Sequence, residues 1–178
     1  MGDIELKASL CVSSIRALKQ QLIAYNEDLS YKCEKIVSRL IEEGYKVAQS
    51  KIGESPLGKY ISISTNIIPN NSECNGILFA KGAIKESEGY EPFSILLAVE
   101  FGAGIKYNPT PNPLTSKIGY GVGTFPGQIH AFQDTWWYWD EKSRDWKPTH
   151  GVKATMPMYN ADLAIIQKIT SIAKEVFG

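Results

Sequence analysis

The chain has 178 residues, 43% of them hydrophobic, and balances 19 Lys and Arg against 19 Asp and Glu. That length fits one domain burying about 70% of its unfolded surface, and that apolar share excludes intrinsic disorder. Zero net charge argues against a dedicated nucleic-acid binder, which carries a basic excess, and leaves no long-range repulsion to keep copies apart.

Residues 3–12 alternate, with Ile4, Leu6, Ala8, Leu10 and Val12 on one side, which predicts a short strand. This polar-alternating start lacks the apolar core of a secretory signal, and Lys7 stands where myristoylation after Gly2 needs Ser or Thr. Ser13 and Ser14 offer N-caps for a helix. Ile15, Leu18, Leu22, Tyr25 and Leu29 recur at three and four, and the stripe runs on through Cys33, Ile36, Leu40 and Val47. One long helix is expected over 14–50, about 50 Å in length, with a break into two near Asn26 as the alternative. Such a helix is longer than a domain of this size needs and so extends from the body or lines a neighbour.

Gly53 to Gly58 breaks the helix. Ile61, Ile63, Thr65 and Ile67 then alternate with polar residues as in a half-buried strand, and a second strand is expected over 77–84. Residues 93–101 are nearly all apolar, and periodicity alone does not choose between a buried strand and a short buried helix. Residues 102–127 hold six glycines and four prolines, with Lys106 and Lys117 as their only formal charges. A loop this long is functional or disordered. Its aromatics Tyr107, Tyr120 and Phe125 suggest that it orders against something, and a neighbouring copy is the expected surface. Trp136 to Trp139 form an aromatic strand, Asp140 to Asp145 a charged turn, and Trp146 starts the return of a hairpin. A helix over 156–177 carries Ala161, Ile165, Ile169, Ile172 and Val176 on one stripe, with Thr155 as its expected cap and Pro157 in its first turn.

The fold class expected is therefore α+β: an antiparallel sheet (59–101) packed by a long N-terminal helix and a C-terminal helix. A Gly/Pro-rich loop (102–135) and an aromatic hairpin (136–153) complete a single domain over 1–178.

Chemistry is sparse. Cys11, Cys33 and Cys74 are far apart and form no C-x-x-C pair, so neither a disulfide framework nor a Cys-rich zinc site is expected. Gly119-Tyr-Gly-Val-Gly123 has the glycines of a dinucleotide loop. Pro126 and Gly127 come after it instead of the helix whose amides hold the pyrophosphate. His130 and His150, taken with Asp134 or Asp140, lack metal-ligand spacing. Glu42-Glu43 and Asp140-Glu141 read as solvated charges. No catalytic, metal or cofactor-binding residue is nominated. No run of about 18 apolar residues predicts a membrane span. The tryptophans at 136–146 are the strongest unassigned feature. A protein interface ranks first for them, a sugar platform second and a nucleic-acid platform third, because the nearby Lys142, Arg144 and Lys147 are offset by Asp140, Glu141 and Asp145.

Several segments carry a resemblance. Val99-Glu-Phe-Gly-Ala-Gly-Ile105, then an irregular insert, then Trp136-Trp-Tyr138 and Gly151-Val-Lys-Ala-Thr-Met-Pro-Met-Tyr-Asn-Ala161, together resemble the tail-completion (neck) proteins of long-tailed bacteriophages. Ile172-Ala-Lys-Glu-Val-Phe177 fits the same pattern. Ser55-Pro-Leu-Gly58 lacks the Thr-Gly pair common at that step, and Ala103 stands in place of the usual Thr. The resemblance implies a structural virion protein, assembled in the bacterial host cytoplasm, and not an enzyme. It implies a homo-oligomeric ring, a hexamer, at the head–tail junction, between connector and tail-tube or tail-terminator proteins. It implies no cofactor, no membrane and no sequence-specific nucleic acid. Interface candidates on this reading are Glu100, Phe101, Gly102, Gly104, Tyr120, Phe125, Trp136, Trp137, Tyr138, Met156, Pro157 and Met158. The other readings are a carbohydrate-binding module or glycan-processing enzyme built on the Trp hairpin, and another minor capsid or tail component.

Overall fold

A computed structural model describes residues 11–70, 73–107, 112–140 and 142–178. The strand expected over 3–12 falls outside the described residues, apart from its last two. Cys11 is the N-cap residue of helix α1 (Val12–Gly53), 42 residues without interruption. Ser13 and Ser14 are therefore inside the first turn and do not cap it, and no break occurs near Asn26.

Strands β1 (Ile61–Pro69) and β2 (Cys74–Gly82) form an antiparallel ladder from Ile61↔Gly82 to Pro69↔Cys74. Among the described residues, the sheet expected over 59–101 divides into two separate two-stranded ladders, and the expected hairpin forms a third. The second joins β3 (Ile84–Lys85) to β4 (Phe93–Ser94), and the third joins β5 (Trp136–Asp140) to β6 (Asp145–Thr149). Residues 93–101 divide the two alternatives. Phe93 and Ser94 are strand, and α2 (Ile95–Phe101) is a buried helix whose first turn the Ser94 hydroxyl caps at Leu97 N. The fold is α+β, with long N- and C-terminal helices and antiparallel ladders.

Helix α4 (Pro157–Phe177) runs antiparallel to α1. A Cβ at Gly44 would lie 2.7 Å from Ile165 Cδ1, the Arg39 guanidinium meets Glu175 at 2.6 Å, and the Lys32 ammonium sits over the Phe177 ring. Ala48 and Ala161 are buried in this seam, where small side chains let the helices approach. The β1–β2 ladder lies against the same stretch of α1, with Gly76 directly under Val37 and Ile41.

A second core forms around α2. Ala98, Phe101, Ala103 and Phe125 are buried together, with Phe93 and Leu97 packed on them. Phe125 is 2% exposed, with its ring 6.0 Å from that of Phe93, and the Tyr120 ring meets that of Phe101 at 5.9 Å, tilted by 51°. This corrects the expectation that the 102–135 loop orders only against a neighbour. Burial of a phenylalanine side chain is worth about 2–3 kcal/mol, and the loop obtains it from its own chain. A 3-10 turn (Ile105–Tyr107) and a short helix α3 (Thr115–Ile118) give the loop further local order.

Candidate interaction surfaces

Three features stand out: a buried carboxylate clasp, an aromatic hairpin and a projecting helical arm.

The clasp joins the two stretches that carry the resemblance. Glu100 is 7% exposed. Its Oε2 accepts from Met158 N at 2.9 Å, and its Oε1 accepts from Tyr159 N at 3.1 Å and Asn112 Nδ2 at 3.0 Å. The carboxylate thus meets the free N–H groups at the start of α4, where the helix dipole favours negative charge. Thr155 does not cap this helix as expected. Met156 takes a left-handed conformation (φ 52°) as the N-cap residue, with no side-chain bond, and Thr155 Oγ1 is buried without a partner. Burial raises the Glu100 pKa, and its three hydrogen bonds oppose that rise. Beside it, Ala103 and Val152 exchange backbone hydrogen bonds at 2.9 and 2.7 Å. Gly151 has φ 104°, and a Cβ there would collide with Ala103 O, so only glycine fits this crossing.

In the hairpin, the register pairs Trp137 with Pro148 and Trp139 with Trp146. These four residues therefore share one face. Trp137 is 60% and Trp146 56% exposed, and the Trp139 and Trp146 rings meet edge-on at 5.8 Å. On the other face, Trp136 packs near His130, and Asp140 pairs with Lys147 at 2.6 Å. That ammonium and the Ser143 hydroxyl hold the Asp140 carboxyl well below the usual range. His150 Nδ1 lies 2.9 Å from Asp134 O and its Nε2 3.4 Å from the Lys106 ammonium. A cation on that nitrogen opposes metal binding. Among the described residues, no three His, Cys, Asp or Glu side chains gather as a metal site requires.

The arm is the N-terminal half of α1. The α4 end reaches Lys32, which leaves residues 12–31 projecting by about 30 Å. Ile15, Leu22, Tyr25 and Leu29 are exposed there, with Leu18 half-buried. Their 3-4-3-4 spacing is the seam of a helix that packs on another helix.

The candidates from sequence divide between surface and interior. Trp137, Tyr138 and Tyr120 are exposed, and Trp136, Met156 and Met158 are half-buried. Glu100, Phe101, Gly102, Gly104, Phe125 and Pro157 are buried by the chain itself. Sequence reasoning named Glu100 but not its partner Asn112, and it expected the long helix to extend from the body or line a neighbour without singling out its N-terminal half. No described helix is long and apolar enough to cross a membrane. Compared with protein families, curated proteins and solved structures, the chain matches none.

Proposed function

We propose that this chain is a structural assembly protein of the tail-completion or neck type, and not an enzyme. Copies would form a ring at the head–tail junction of a long-tailed phage or tail-like particle, between connector and tail-tube proteins. The observation that carries the reading is the arm: 20 residues of α1 with an apolar 3-4-3-4 seam left open to solvent. A monomer has no use for such a seam, and exposed apolar surface of this kind marks an association site. The resemblance of residues 99–105 and 151–161 to that family adds support.

The test is mass photometry and negative-stain imaging of the purified chain, alone and mixed with connector and tail-tube proteins from the same source. Rings are expected. A strict monomer under all these conditions overturns the reading.

The exposed face of Trp137, Trp139 and Trp146 favours a second reading, a carbohydrate-binding module. Saturable quenching of tryptophan fluorescence by a sugar, lost in Trp137→Ala, would establish it in place of the first.

A further inference from the structure

Among the described residues no strand pairs with the outer edge of β1, which lies beside an apolar groove. The groove measures about 390 Å³ and is lined by Tyr45, Gln49 and Ile52 of α1 and by Ile61, Ser62 and Ile63 of β1. No β2 residue lines it, so it opens on the β1 edge away from β2. Ala83 N donates to Tyr60 O just beyond the ladder. In an antiparallel ladder this sets the hydrogen-bonded pairs at the even positions of β1. The N–H and C=O groups of Ile63 and Thr65 therefore point to the free edge, while the Ile61 N–H is taken by Gly58 O. A strand edge beside a helix, with an apolar trough between them, is the geometry that accepts an added strand. Its side chains enter the trough at every second residue.

Residues 3–10, which lie outside the described structure, supply that pattern with Ile4, Leu6, Ala8 and Leu10. They cannot reach the groove of their own chain. From Cys11 to Tyr45 the helix spans about 50 Å. The nine residues from Asp3 to Cys11 span at most about 30 Å when fully extended. The projecting arm thus carries the alternating segment away from its own β1 and toward another copy.

We propose that residues 3–10 of one copy add as a strand to the free β1 edge of a second copy, with their apolar row in the groove between β1 and α1. This rests on the copy-to-copy association of the neck reading, and not on a place in a virion. Donor and acceptor are different surfaces, so the contact repeats head to tail and closes into a ring when the rotation permits.

Two full-length variants test it. Leu6→Asp spoils the donor. Thr65→Pro removes one outward N–H from an exposed edge position, which a ladder tolerates. Circular dichroism checks that both fold. By native mass spectrometry the unmodified chain is expected as higher oligomers, each variant alone as monomer, and an equal mixture as a 1:1 dimer. Hydrogen exchange at Ile63 and Thr65 should slow at least tenfold on assembly of the unmodified chain and stay fast in Leu6→Asp. Assembly of folded Thr65→Pro like the unmodified chain, or unprotected edge amides in the assembled protein, overturns the proposal. Rings that form with unprotected edges would leave the neck reading standing and remove only this one. Strand exchange without binding to connector or tail-tube protein would do the reverse.

Discussion

Glu100 Oε2 accepts the backbone N–H of Met158 at 2.9 Å, across 58 residues of sequence. One carboxylate thereby ties the end of α2, the residue Asn112 in the long loop and the start of α4.

Replacing Glu100 by Ala leaves two helix N–H groups and a buried amide without an acceptor. Each unmet polar group costs about 1–3 kcal/mol, so Glu100→Ala, which leaves three, is expected to lose at least about 3 kcal/mol in urea unfolding. Glu100→Gln keeps one acceptor oxygen and should lose less.

The same residue gives a pH dependence of definite sign. Burial raises its pKa in the folded protein, so the fold holds that proton more tightly than the unfolded chain does. Its contribution favours folding below the ordinary carboxyl pKa and is lost as pH rises through the raised value. Urea midpoints between about pH 4 and 7 should show this decline in the unmodified chain and a flatter profile in Glu100→Gln. A decline of equal size in the variant would assign it to another group.

Gly151 sits at φ 104° against Ala103 O. Gly151→Ala adds both backbone strain and a collision at the Ala103–Val152 bridge, and a loss of about 2–4 kcal/mol is expected. Thermal unfolding followed by tryptophan fluorescence reads it.

Gly44 separates size from backbone freedom. A Cβ there meets the flexible tip of Ile165 at 2.7 Å. Alanine gains about 1 kcal/mol of helix propensity, which offsets that contact, so Gly44→Ala should change stability by less than about 1 kcal/mol. Gly44→Val overfills the α1–α4 seam and should cost about 1–3 kcal/mol. Urea midpoints of the two variants make the comparison.

On the arm, Leu22→Asp with Tyr25→Asp changes only exposed positions. Unfolding free energy should stay within about 0.5 kcal/mol, because surface changes rarely do more. Mass photometry should show fewer or no oligomers. Unaltered assembly would remove the arm from the interface.

Elements that satisfy a local period were legible from sequence. The α1 stripe from Ile15 to Leu40, the alternation of β1 and the paired tryptophans each repeat within one element, and hydrophobic burial enforces that repeat. Residues 93–101 were not decidable, because a short run buried on all sides has no polar face to reveal its period. The loop's order was not legible either. Phe125 is held by Phe93 and Phe101, 32 and 24 residues earlier, and no local rule encodes that contact. Capping rules nominated Thr155 for α4, yet a left-handed Met156 stands at the N-cap and a distant carboxylate serves the helix.

The sequence by itself determined that the chain carries no net charge and that residues 102–127 hold only two of its charges. It also determined the two long helices, β1, β2 and the hairpin, since their periods depend on near neighbours. Only the tertiary structure decided where that sparsely charged loop goes. Phe125 and Tyr120 pack on α2 within the chain, while exposed apolar side chains lie on the α1 arm and the Trp hairpin. The physical reason is reach. The α4 helix is half the length of α1, so it covers half of the seam and leaves the rest of it exposed.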